Sequence, residues 1–249
     1  MTGQATALSS EFRKITSIRG PWLLLAAGPL IVVAGISGLV ESGGNIHDPA
    51  TQSQALAHVG LAAIITLVFG ILAMAGEYRH GTITDSYLSF PGRRQVIGAK
   101  LAVYGLAGAA AGLVSSALAL AVTAAWWSAK GSALHLSAAG TWQTLAGGVA
   151  ANVGFAVVGV GVGALVRNLA AAIAAALAWI ALVEGIVGQL VGSGLARWLP
   201  LHASEALDRS ALLGASQLLP QWAGALVLLG YAAVFAAVAV VTTLRRDVT

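Results

Sequence analysis

No cysteine occurs among the 249 residues, which excludes disulfides, a thiolate metal site and a cysteine nucleophile. Charge is almost as scarce. Asp, Glu, Lys and Arg make up 9% of the chain, against roughly 25% in an ordinary soluble domain. With 58% hydrophobic residues there is too little polar surface to cover a water-soluble core. The five histidines, His47, His58, His80, His135 and His202, show no ligand spacing, so no metal site is expected. None of the three lysines, Lys14, Lys100 and Lys130, follows a G-x-x-x-x-G turn, so no cofactor and no ATP site are expected in this chain itself.

What the sequence has in abundance is long apolar runs. Six of them, near 21–40, 55–75, 96–127, 142–166, 169–191 and 221–244, reach the roughly 20 residues that a helix needs to cross about 30 Å of hydrocarbon. They are continuous and rich in Ala, Leu and Val rather than alternating, which favours helices over barrel strands. The expected fold is an all-α integral membrane protein with six transmembrane helices in one transmembrane domain over 1–249. The first run is too long for a signal peptide, and no A-x-A pattern follows Val40.

The cations set an orientation. With the N-terminus inside, Arg13, Lys14, Arg19, Arg79, Arg93, Arg94, Lys100, Arg167, Arg245 and Arg246 fall in the cytoplasm and only Lys130, Arg197 and Arg209 fall outside, so both termini are expected to be cytoplasmic. Trp22 stands at the inner end of the first run. Trp126, Trp127, Trp142, Trp198 and Trp222 stand at outer ends, where amphipathic rings sit at headgroup level, and Trp179 alone lies well inside a run. The basic balance is thus explained by topology and anionic lipid, and nucleic acid is not expected as a partner. With no native thiol to interfere, single cysteines at Ser86 and Ser193 should label from opposite sides.

Before the first run, Leu8, Phe12 and Ile15 recur at helical spacing with Arg13, Lys14 and Ser17 between them. That pattern predicts an amphipathic helix over about 7–19 lying on the inner leaflet, broken by Gly20 and Pro21. The cytoplasmic stretch 76–95 concentrates Glu77, Arg79, His80, Asp85, Arg93 and Arg94 in a chain that otherwise avoids charge. Tyr78, Ile83, Tyr87 and Leu88 lie about one helical turn apart within it. A connector kept only in water has no use for such aromatics, so the stretch reads as a docking surface.

Three motifs in order, S-E-F-R-K-I-x-S-I-R from Ser10, G-E-Y-R-H-G-T-I-T from Gly76, and P-x-R-R-x-x-x-x-x-K from Pro91 to Lys100, resemble the permease subunit of type 2 ATP-binding-cassette exporters. The likeness spans the whole topology and is most specific at the second and third motifs. It implies an N-terminal elbow helix that touches the inner leaflet through Phe12, Arg13, Lys14 and Arg19. It also implies a coupling helix received by a separate ATPase subunit, with Glu77, Tyr78, Arg79, His80, Gly81 and Thr82 in the coupling segment and Arg93 and Arg94 anchoring its exit. Two copies of the chain would pair with two ATPase subunits carrying ATP and Mg, in a bacterial inner membrane, and export a lipophilic or amphiphilic small molecule such as a drug, antibiotic or lipid. The chain itself would be non-catalytic. The alternative function is a secondary transporter or channel working without an ATPase, although Glu184 has no charged counterpart in the first half.

Glu184 is the one acid inside an apolar run, and therefore a candidate by default. It is expected to hold an outer gate region through hydrogen bonds. The segment 192–220 carries leucines among charged residues and predicts short interfacial or re-entrant helices. Gly108 with Gly112 and Gly159 with Gly163 form small-residue pairs expected to pack helices within one subunit. A G-I-S-G at Gly35–Gly38 superficially matches an intramembrane serine protease, whose nucleophile would need His58 beside it.

Overall fold

A computed structural model describes residues 2–17, 19–90, 92–137, 139–187, 190, 193–210 and 218–245. Helix α1 (Thr2–Ser17) precedes the long α2 (Arg19–Glu41). The chain returns through α3 (Pro49–Ala57), a 3-10 turn (His58–Leu61) and α4 (Ala62–His80) as one continuous rod. A short α5 (Ile83–Ser89) leads into α6 (Arg93–Ala129), and α7 (Ala139–Val166) runs back. Next come α8 (Leu169–Ala178), widening into a π-helix over Trp179–Val187, then the small α9 (Ser193–Ala196), α10 (Pro200–Asp208) and α11 (Gln221–Arg245). The described residues contain no strand.

Six helical rods are long and apolar enough to cross a bilayer: Arg19–Glu41, Pro49–His80, Arg93–Ala129, Gly140–Val166, Leu169–Ile186 and Gln221–Thr243. The chain is thus a multi-pass helical membrane protein. The second rod begins earlier than its apolar run because Asp48 caps it, its side chain accepting from Ala50 N at 2.9 Å, with Pro49 in the first turn. The rods are not equivalent. In their most apolar stretches the second and fourth are 72% and 61% buried, against between 17% and 33% in the other four. Hence α4 and α7 form the centre. Leu23, Leu30, Leu106, Leu113, Leu226 and Leu229 stand exposed around the periphery, the surface that lipid covers.

Small residues let the two central helices touch at the backbone. A Cβ at Gly159 would overlap the carbonyl oxygen of Leu67, and one at Gly163 would lie 2.7 Å from that of Ile71. Gly108 and Gly112 of α6 meet Asn152 and Val149 of α7 in the same way. Both pairs therefore serve packing within the chain. Thr66 bridges α4 to α7 by donating to Asn152 O at 3.0 Å, and Asn152 donates to Val59 O at 3.2 Å.

One sequence expectation changes here. Trp127 is not a headgroup ring, since it is fully buried with Val32, Ile36, Leu56 and Leu145, whereas Trp22, Trp142, Trp198 and Trp222 are exposed. The single span-end position cannot distinguish a ring facing lipid from one facing three neighbouring helices. Within the segment expected to be interfacial or re-entrant, Leu195 and Trp198 are exposed and α10 lies inside the protein. All of Leu201–Asp208 is buried, because α10 inserts against α7 and α11, where Gly147 and Gly224 leave room for the backbone of Leu207 and Ala203.

Candidate functional site

The end of the bundle that holds the start of α2, the α4–α5 turn and the end of α11 is the more elaborate. Three residues of α1, Ala7, Glu11 and Ile15, are buried and share one face at i, i+4 and i+8 spacing. Phe12, at 62% exposure, and Leu8 lie on the neighbouring exposed face. The helix thus presents one apolar stripe outward and a second, containing an acid, inward.

That inward acid completes a charge-balanced quartet. Lys100 of α6 has no exposed surface, and its Nζ donates to Glu11 Oε2 at 2.9 Å, Glu77 Oε1 at 2.7 Å and Ala73 O at 3.0 Å. Lys14 donates to Glu11 Oε1 at 2.7 Å, Glu77 Oε1 at 2.6 Å and Ser86 Oγ at 3.0 Å. Two carboxylates and two ammonium groups thus join α1, α4, α5 and α6. Burial alone would lower the Lys14 pKa, yet the carboxylates of Glu11 and Glu77 outweigh it and hold the ammonium above the usual lysine value. Lys100, which enters the sequence reading only as a cation on the inner side, is a buried partner inside the protein.

Around this quartet the α4–α5 turn is closed by a left-handed cap. Gly81 has φ 70°, with Thr82 N donating to Glu77 O at 3.0 Å and Gly81 N to Tyr78 O at 3.3 Å. Glu77 and Tyr78 therefore face the protein, while Arg79, His80, Gly81 and Thr82 face out. On α5, Ile83 and Ser86 are buried, and Thr84, Asp85, Leu88 and Ser89 are exposed, Leu88 at 78%. Seven of the ten residues from Arg79 to Leu88 thus form a mixed exposed face backed by a rigid base, and Leu88 presents apolar surface on the same helix as the Asp85 carboxylate. Arg93 stacks on Tyr87 at 5.3 Å and donates to Thr243 O at 3.1 Å. Arg167 likewise stacks on Tyr78 at 5.0 Å and donates to Thr242 O at 3.2 Å. Both arginines satisfy carbonyls in the last turn of α11, where cations favour the helix dipole. Arg94 is exposed, as are Arg13 and Arg19.

At the opposite end, Glu184 is buried within the π-helix. Its Oε2 accepts from Leu201 N at 2.6 Å and His202 N at 3.3 Å, and His202 Nδ1 lies 3.5 Å away. Leu199 at the N-cap of α10 has no side-chain oxygen to offer, so a distant carboxylate caps the helix instead. The pairing with α10 was not readable from the sequence. The Glu184 carboxylate beside the ring raises the His202 pKa despite burial.

The same segment holds Asp208, whose carboxyl burial pushes up to about 8 against the opposing hydrogen bonds from Ser210. A folded state that holds this proton while the unfolded chain, with an Asp near 3.8, has lost it becomes less stable as pH rises between about 4 and 8. His202 acts in the same direction, because a raised histidine stabilises below its unfolded pKa and the contribution is lost as pH rises through the folded one. Asp208→Asn keeps an acceptor for Ser210 N. It should flatten the fall in thermal stability between pH 5 and 8.5 by about 1 kcal/mol per pH unit, measured by melting in detergent. A variant as pH-dependent as the parent would assign the titration elsewhere.

Ser37 does not form a catalytic pair. Its Oγ accepts from Trp126 Nε1 at 3.2 Å, and the His58 ring lies against Gly35 with Nδ1 on Gln54 O at 2.9 Å. Among the described residues no group of three His, Asp or Glu side chains could hold a metal ion. No family model and no curated protein matches the chain. Fold and site together define a six-rod membrane protein with a rigid, charge-locked end that presents a short exposed helix.

Proposed function

We propose that the chain is the membrane-spanning subunit of an ATP-driven exporter of the ATP-binding-cassette type, in a bacterial inner membrane with both termini cytoplasmic. A second copy completes the pathway, and ATP and Mg belong to a separate ATPase subunit. The observation that carries this reading is α5: a short helix with an exposed face of Thr84, Asp85, Leu88 and Ser89, braced from behind by a buried ionic quartet. A partner that closes on nucleotide moves a membrane helix only through a contact that does not yield. Here Ser86 of the exposed helix accepts from Lys14 and donates to Glu77, and Glu77 pairs with Lys14 of α1 and Lys100 of α6, so a push on α5 is delivered to two spanning rods and the elbow. Charged groups on the exposed face set the orientation of the partner.

The residues that touch the ATPase in this reading are Arg79, His80, Thr82, Asp85 and Leu88, while Glu77 and Tyr78 support them from within. Phe12, Arg13 and Arg19 of the elbow region meet the inner leaflet, and Lys14 belongs to the lock. Ser86 is buried and the side chain of Ser193 lies outside the described residues, so exposed Ser89 is the better reporter. A membrane-impermeant maleimide should label Ser89→Cys from the cytoplasmic side only, and a copurified ATPase should protect it. Asp85→Arg should release that ATPase at least tenfold faster without changing the melting of the chain. Labelling from outside, or transport by the chain with no ATPase, would overturn the proposal.

A further inference from the structure

A cleft of about 340 Å³ runs beside α8 between α4, α7 and α11, within the size range of small-molecule sites. Its walls are Phe155, Val162, Trp179, Tyr231 and Phe235, and Glu184 with Pro200 stands at one end. Glu184 is the one ionisable carboxylate on a wall otherwise apolar or aromatic. Its Oε2 is occupied by the two backbone N–H groups of α10, whereas its Oε1 is buried and has no hydrogen-bond partner. An acceptor left unmade in a dry site costs the desolvation of that oxygen. A donor brought by an occupant recovers it.

We infer that this cleft binds a lipophilic cation, an aromatic or aliphatic body carrying a protonated amine, with the body between Phe155, Trp179 and Phe235 and the ammonium donating to Glu184 Oε1. Three features select the class. The apolar walls take an uncharged body from the bilayer rather than from water. The rings of Trp179, Tyr231 and Phe235 on the walls attract a cation by their faces. The carboxylate rejects anions and holds an ammonium more strongly than it holds a neutral donor. That the occupant is the exported cargo rests on the function proposed above, but its binding does not.

The test uses the full chain in lipid nanodiscs, with empty nanodiscs as the control for partition. The probes are naphthylmethylammonium and its uncharged isostere naphthylmethanol, followed by naphthalene fluorescence. The chain should bind the ammonium at least tenfold more tightly than the alcohol. Glu184→Gln, whose carbonyl still accepts from Leu201 N and His202 N, should erase that ratio chiefly by weakening the ammonium, with a much smaller change in the alcohol. Val162→Trp fills the cleft from α7, away from α10, and should remove binding of both probes, which keeps the test decisive if Glu184→Gln misfolds. Equal binding of the two probes to the parent, or a ratio that survives Glu184→Gln, would overturn the inference. So would a copurified phospholipid that the ammonium does not displace, or a change of oligomeric state in Val162→Trp, since the cleft would then be a lipid or subunit contact. Loss of the ATPase partner with binding intact would instead overturn only the export reading.

Discussion

Lys100→Met lowers the stability of the chain by about 3–5 kcal/mol, the cost of leaving buried charge uncompensated. The parent quartet is neutral, with Glu11 and Glu77 against Lys14 and Lys100. Removing Lys100 leaves two carboxylates to share Lys14, and Glu11 Oε2 and Ala73 O lose their donor. Methionine matches the lysine stem in length, so the effect is one of charge rather than of a cavity. Lys14→Met should cost much less, about 1 kcal/mol, because its side chain is a third exposed and water screens the loss. Adding Glu11→Gln to Lys100→Met restores one acid to one base and should recover more than half of the deficit. The measurement is thermal unfolding of purified protein in detergent, with denaturant at a fixed temperature as a second axis. Equal melting of Lys100→Met and the parent would show that the quartet holds nothing together.

The same quartet marks the limit of what the sequence disclosed. The rods were legible because hydrocarbon demands a long apolar run whatever its neighbours do, and observed bounds such as Gly140–Val166 and Gln221–Thr243 fall within a few residues of the expected ones. The α5 helix was legible in outline from the spacing of Ile83, Tyr87 and Leu88. The partners of Lys100 were not. Glu11 and Lys100 are 89 residues apart, Lys14 and Glu77 are 63 apart, and one-dimensional spacing carries no information on that scale. Lys100 also satisfied the topology rule equally well as a loop cation. The signal present was the rarity of charge: in a chain this apolar, every Glu and Lys near the same end is under pressure to find a partner. Glu184 illustrates the converse. Its solitude marked it as a candidate, but the groups it bonds, at the uncapped start of α10, depended on a π-helical widening that no composition announces.

Gly159→Leu is expected to prevent the central pair from assembling, and even Gly159→Ala should cost about 1–3 kcal/mol as overpacking. Lipid is as apolar as leucine, so α4 and α7 gain little from merely hiding side chains. They gain from backbone approach and the dense contacts it permits. Gly159 faces the carbonyl of Leu67, and Gly70 on the opposite helix faces Ala156 and Val160 in return. Each glycine therefore meets main chain, which cannot rotate aside as a side chain can. Thr66 to Asn152 at 3.0 Å fixes the same register, so sliding one helix along the other breaks that hydrogen bond. Gly230→Ala is the control: a Cβ there has nothing within 4 Å, and alanine gains up to about 1 kcal/mol in helix propensity. The two alanine variants make the same chemical change in opposite surroundings. Their melting temperatures in detergent should separate in opposite directions from the parent, Gly159→Ala downward and Gly230→Ala level or slightly upward. If they move together, helix propensity outweighs close approach, and α4 and α7 are not held at the separation their glycines allow.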